Sequence, residues 1–130
     1  MPFYKITPCT KPRMTQRDKW LKPARTCVAK YWAFKDQIRA AGVKVNPNGD
    51  HIVFFMPMPK SWKPEKKAEM YGKPHTQRPD KDNLEKALLD AIYDEDCHIW
   101  NSTVTKIWAY NASILVDRFE NVNLDDYLTV

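Results

Sequence analysis

The segment His75–Asp90, HTQRPDKDNLEKALLD, constrains the fold of this chain more than any other. Leu84, Ala87, Leu88 and Ala91 recur at i, i+3, i+4 and i+7, the spacing of a single apolar helix stripe. A helix over Asn83–Tyr93 must therefore lie against a core. His51–Pro57, HIVFFMP, supplies a partner: it is too short and too rich in β-branched and aromatic residues for a helix, and reads as a buried strand.

The remaining elements fit around these two. Phe3–Ile6 reads as a short strand ending at Pro8, and Cys9–Lys22 as a basic loop without apolar periodicity. Pro23–Ala41 reads as a helix, with Val28, Tyr31, Trp32, Phe34, Lys35 and Ile38 near a 3-4 spacing and Gly42 as its stop. Pro47-Asn48-Gly49-Asp50 is a turn signal, and Pro64–Tyr71 is a short helix broken by Gly72-Lys73-Pro74. Ile99–Tyr110 and Ser113–Phe119 alternate as two closing strands with a turn near Asn111-Ala112, and Glu120–Val130 carries little signal. The expected class is mixed α+β, one small domain spanning 1–130, with a sheet of about four strands packed on roughly two to three helices.

Charge divides the chain. Residues 1–79 hold 17 Lys+Arg against 5 Asp+Glu, a net +12, while residues 80–130 hold 4 against 11, a net −7. That asymmetry points to a polyanion held by the first part and a cation site in the second. A solvated basic surface is the plainer alternative. No apolar run of transmembrane length exists, and the N-terminus MPFYKITPCTK has no apolar signal-peptide core, so a cytoplasmic protein is expected. Cys9, Cys27 and Cys97 are odd in number and far apart, as free thiols in a reducing compartment would be. Together with His51, His75 and His98 they make no zinc-finger spacing.

Asp80 and Asp82 stand two residues apart at the helix mouth, with Lys86 and Asp90 further along and Asp94-Glu95-Asp96 beyond its end. Gathered carboxylates are hard oxygen ligands suited to Mg²⁺ or Mn²⁺. The competing reading is a capping box, in which Asp82 accepts backbone N–H groups and Glu85 reaches back, worth about 1 kcal/mol. An EF-hand is disfavoured, since counting from Asp80 places Glu85 where the loop needs glycine and Ala91 where it needs glutamate. Capping needs one acid and leaves Asp80 unexplained. Lys86, at i+4 from Asp82, shares its face and is either a salt-bridge partner or a phosphate contact.

The run Asp80-Lys81-Asp82-Asn83-Leu84-Glu85-Lys86 resembles the signature of the RusA family of Holliday-junction resolvases, an Asp-x-Asp-Asn-Leu-x-Lys run opening a helix. Asp90 matches an aspartate one turn later. Glu95-Asp96-Cys97-His98-Ile99 matches the family's acidic pair, variable residue, polar residue and aliphatic strand start. The likeness is sharp over residues 74–108, and TPCTKPRMTQRDKW near the start resembles a branch of phage members.

The resemblance implies a RusA-like fold and a crossover junction endodeoxyribonuclease, a hydrolase of DNA phosphodiesters. It implies Mg²⁺ or Mn²⁺ held by Asp80, Asp82 and Asp96, with Lys86 catalytic and Asn83 and Asp90 supporting. Here the acidic pair starts with Glu95 and the link to it is shorter than in some members. Asp94 and Asp96 are therefore both candidates for the third ligand, and Asp96 keeps the spacing to Ile99. The resemblance also implies a homodimer, pairing through part of the sheet or the first helix, that cuts four-way and related branched DNA in the recombination and repair of a phage or prophage within a bacterial cell. Residues 80–108 are then the catalytic motif region and 1–79 the DNA-binding part. Its phosphate contacts would be Lys11, Arg13, Arg17, Lys19, Lys60, Lys63, Lys66, Lys67, Lys73 and Arg78. Among Trp20, Trp62 and Tyr71, a rim-of-core role outweighs base stacking. His75 and His98 lie close enough to be a general base or substrate contact, although a structural hydrogen bond explains them as well. The alternative function is a non-catalytic phage DNA-binding or regulatory protein.

Overall fold

The computed structural model describes residues 3–13, 17, 20, 25–93 and 98–127. The described elements run β1 (Phe3–Tyr4), α1 (Thr26–Ala41), β2 (Asn48–Pro57), α2 (Pro64–Met70), α3 (Lys81–Ile92), β3 (Asn101–Ala109) and β4 (Ser113–Arg118). The strands form one mixed sheet in the order β1-β4-β2-β3. β2 is parallel to β3 and antiparallel to β4, and β1 is antiparallel to β4. The α+β architecture expected from the sequence is the one observed.

The Ile52–Met56 part of β2 is apolar throughout because both of its faces are covered. Ile52, Phe54 and Met56 join the core under the helices with Trp108, Ile114 and Val116. Val53 and Phe55 point the other way and pack with Ile107, Ala109 and Leu115. On that second face Phe3, Val122, Leu124 and Tyr127 close over the sheet, and Phe3 stacks on Tyr127 at 5.4 Å. The segment 119–127, silent in the sequence, is thus the cover of the sheet's second face. Its apolar residues fall at irregular intervals in two short 3₁₀ turns, Phe119–Asn121 and Leu124–Asp126, so no helix or strand period marks them.

β3 and β4 are separated by only three residues, yet they do not pair with each other. β2 lies between them, with Pro57 opposite Ala109 and Phe55 opposite Ser113. The turn expected at residues 47–50 is absorbed into β2. The register shifts between Asn48 and Asp50, and Gly49 sits there at φ +90°, a backbone angle few other residues take at low cost.

α1 stops at Gly42 as its sequence suggests. At φ +69° this residue lets its own N–H and that of Val43 return to the carbonyls of Arg39 and Ile38 at 3.2 and 3.3 Å. The helix buries Val28, Tyr31, Phe34 and Ile38 but leaves Trp32 43% exposed. Trp32, which the 3-4 spacing included, lies on the flank of the stripe that the other four define. α3 buries Leu84, Ala87, Leu88 and Ala91 as the stripe requires, and Leu89 besides. Two cross-links fix its far end: Arg39 Nε donates to the Ala91 carbonyl at 3.0 Å, and the Tyr93 hydroxyl donates to the Val45 carbonyl. None of the described helices is long and apolar enough to cross a membrane.

Candidate active site

The free edge of β3 organises the site. After α2 the chain runs back along this edge: Gly72 N–H donates to the Trp108 carbonyl at 2.9 Å, Trp108 N–H to Lys73 at 3.0 Å, and His75 N–H to Lys106 at 3.0 Å. The chain then leaves the sheet and delivers Asp80 to the head of α3 in an extended conformation, φ −69° and ψ 145°.

The helix begins at Lys81, two residues earlier than the apolar stripe alone implies, and this shift removes the capping box. Asp80, not Asp82, holds the cap position, and its side chain makes no capping hydrogen bond. Asp82 lies in the first turn, where its Oδ1 accepts only the N–H of its neighbour Asn83, at 3.1 Å. Glu85 does not reach back. It lies against β3 and accepts the Ser102 hydroxyl at 3.1 Å. Neither exposed carboxylate is committed to starting the helix.

Both acids line one open hollow of about 610 Å³ with His75, Thr76, Gln77, Arg78, Lys81, Val104, Thr105 and Lys106. A second hollow of about 750 Å³ opens on the other side, lined by residues 7–10, Met56, Pro57, Arg78, Pro79, Asp80 and Asn83. Asp80 and Arg78 border both, so they form the ridge between them.

Lys106 was not among the residues that the sequence singled out. Its Nζ donates to the carbonyls of Gln77 at 2.6 Å and Pro79 at 2.5 Å. Burial lowers the pKa of its ammonium, and the nearby negative charge of Asp80 opposes that fall. A signal for it existed: Lys106 alternates with Val104 and Trp108, two residues of the helix-side core, at a place where the strand pattern asks for an apolar residue. His75 is buried beside it, with its ring 4.2 Å from that of Trp108. Burial first, and the Lys106 charge second, hold the imidazole pKa below its ordinary value, and Nδ1 has no described hydrogen-bond partner.

The other candidates are placed as follows. Lys86 is exposed on α3, and Asn83 is half-buried on the border of the second hollow. Asp90 neither holds Lys86 nor faces open solvent: it pairs with Lys11 at 2.8 Å, tying the start of the basic arm to α3. Arg13 and Arg17 are exposed. Lys60, Lys63, Lys66 and Lys73 are exposed around α2 and Lys67 is half-buried; Lys66 stands 4.4 Å over the Trp62 ring, and Lys73 is 4.0 Å from Glu69. Trp62 and Tyr71 pack at the rim of the core, whereas Trp20 is 83% exposed. His98 is exposed. Asp94, Glu95, Asp96, Cys97 and Lys19 lie outside the described residues.

Among the described residues no three His, Cys, Asp or Glu side chains gather closely enough to hold a metal ion. Asp80 and Asp82 contribute two carboxylates to one hollow, oxygen donors of the kind Mg²⁺ and Mn²⁺ take. The donor chemistry therefore fits such a cation. The expected third carboxylate belongs to the undescribed acidic run.

Over residues 4–117 the chain matches the family model of endodeoxyribonuclease RusA. Comparison with curated proteins and with solved structures returns no match. The matched span runs from β1 into β4 and takes in the acid pair, the head of α3 and the β3 edge. The chain belongs to the RusA family of endodeoxyribonucleases, enzymes that hydrolyse DNA.

Proposed function

We propose that this chain is a Mg²⁺-dependent endonuclease that resolves Holliday junctions and related branched DNA by paired symmetric nicks. We place it in the recombination and repair of a phage or prophage, acting as a homodimer because a two-fold symmetric junction needs two coordinated cuts. The observation that carries this reading is the pair Asp80 and Asp82, both exposed on one hollow and neither bound into the helix cap.

Asp80 and Asp82 would hold the cation, Mg²⁺ or Mn²⁺, together with Asp96. A cation held there would supply charge neutralisation at the scissile phosphate and lower the pKa of an attacking water. Lys86, exposed one turn beyond Asp82, is positioned to offer its ammonium to phosphate oxygens as negative charge builds on them. Arg78, on the ridge beside Asp80, is the cation best placed to grip the strand entering the site. The lysines around α2 add contacts to phosphate, which give affinity without sequence preference.

The test is cleavage of a labelled four-way junction, with and without Mg²⁺, by the wild type and Asp82→Asn. Paired nicks that need both the metal and Asp82 support the reading. Junction binding without cutting in any divalent metal refutes it in favour of a non-catalytic DNA-binding protein.

A further inference from the structure

Asp80 presents its carboxylate from the ordinary extended backbone of a cap position. Its carbonyl accepts the Leu84 N–H at 3.2 Å, which holds it to α3 on one side, while its side chain makes no capping hydrogen bond. The segment before it is joined to β3 as far as His75 by backbone hydrogen bonds, and no described backbone bond continues that pairing to Asp80. What bridges the gap is one side chain. Lys106 reaches from the edge strand and donates to the carbonyls of Gln77 and Pro79 at 2.6 and 2.5 Å.

The Pro79 carbonyl belongs to the peptide unit that enters Asp80. Holding that oxygen fixes the plane of the unit and with it the origin of the Asp80 side chain. The Gln77 carbonyl, two residues earlier, anchors the approach, so the ammonium clamps the loop at two points. A lysine has three N–H donors, and these two carbonyls take two of them.

We propose that Lys106 is the positioning residue of this site, a clamp that sets the backbone of Asp80 so that its carboxylate meets a divalent cation together with Asp82. This inference rests on the reading of Asp80 and Asp82 as cation ligands. It makes a prediction whose sign separates it from simple electrostatics. A cation beside two carboxylates repels a second cation, so deleting the Lys106 charge should tighten metal binding if charge were its only effect. Loss of a clamp weakens it, because an outer residue that orients a ligand typically governs metal affinity by about 10–100-fold.

The experiment measures Mn²⁺ affinity of the full chain by the electron paramagnetic resonance of free Mn²⁺, without DNA, for the wild type, Lys106→Met, Lys106→Arg and Asp80→Asn. The expected result is a dissociation constant raised about tenfold or more in Lys106→Met. Lys106→Arg keeps both donors and should stay within about threefold of the wild type. In cleavage assays the Mn²⁺ concentration for half-maximal rate should rise in Lys106→Met and stay near the wild-type value in Lys106→Arg. Unchanged or tighter Mn²⁺ binding in Lys106→Met overturns the clamp and leaves the metal-site reading standing. A wild type that binds no Mn²⁺, or an Asp80→Asn variant that binds it normally, overturns the metal-site reading itself. Should Lys106→Met lose its cooperative melt, Lys106→Gln takes its place: it keeps a donor without charge and should also bind Mn²⁺ more weakly. Equal or tighter binding there overturns the clamp.

Discussion

The ion pair between Lys11 and Asp90 joins positions 79 residues apart and ties the start of the basic arm to the helix that carries the acid pair. At 2.8 Å the Coulomb attraction is about 6 kcal/mol for an effective dielectric of about 20. Most of it is offset, because both groups lose water and the lysine gives up about 2 kcal/mol of rotamer freedom. The side chains are 35% and 18% exposed, so the net should exceed that of a fully solvated pair and fall near 1–2 kcal/mol, about the worth of a charged hydrogen bond. Lys11 has further partners, so a single substitution does not isolate this contact. A double-mutant cycle of wild type, Lys11→Met, Asp90→Asn and the double variant, followed by urea unfolding, does. With an m-value of about 2 kcal/mol per molar, the coupling amounts to about 0.5–1 M in midpoint. It should shrink in high salt as the pair is screened. A coupling below about 0.3 kcal/mol, or one indifferent to salt, would refute the anchoring role.

Three further outcomes follow from the geometry. Because neither acid caps α3 through its side chain, Asp80→Ala and Asp82→Ala should each change unfolding free energy by less than about 0.5 kcal/mol while abolishing cleavage; a loss of about 1 kcal/mol or more would restore the capping role. His51 and His75 are both held below the ordinary value of 6.5 by burial, so the unfolded chain takes up protons first as pH falls. Their contribution to stability is accordingly full above pH 6.5 and lost on acidification through that value toward their lower folded values. Urea midpoints of His75→Asn should fall less steeply than those of the wild type between about pH 7.5 and pH 5; identical slopes would contradict this. Arg78→Ala should weaken four-way junction binding and lower the slope of log affinity against log salt by about one contact's worth, whereas an unchanged slope would remove Arg78 from the phosphate path.

What the sequence disclosed was local. The stripe Leu84, Ala87, Leu88 and Ala91 and the stop at Gly42 are written within a few residues of where they act, and both stand where expected. Asp80 and Asp82 were legible as a pair because they stand two residues apart in sequence, one at the cap and one in the first turn of α3. Their lack of a capping role was not, since it turns on the helix starting at Lys81 and on Glu85 meeting Ser102 of β3. Lys106 broke the apolar pattern of its strand, but its role could not be read, because its two acceptors are backbone carbonyls of a distant loop and carbonyls carry no residue identity. Trp32 entered the spacing because such a rule admits flank positions as readily as central ones. The partner of Asp90 lies across the fold rather than one turn away, beyond any reading of helix periodicity.

The seating of β2 between β3 and β4 bears on how the chain reaches its native state. The two strands nearest in sequence could pair as a hairpin, yet in the native sheet a strand from the first half of the chain lies between them. A hairpin closed early by β3 and β4 would be an off-pathway trap that has to reopen. The sheet assembles only through distant contacts, each burdened with a long loop closure. Substitutions that sharpen the Asn111-Ala112 turn should therefore slow refolding even if they leave the folded protein no less stable.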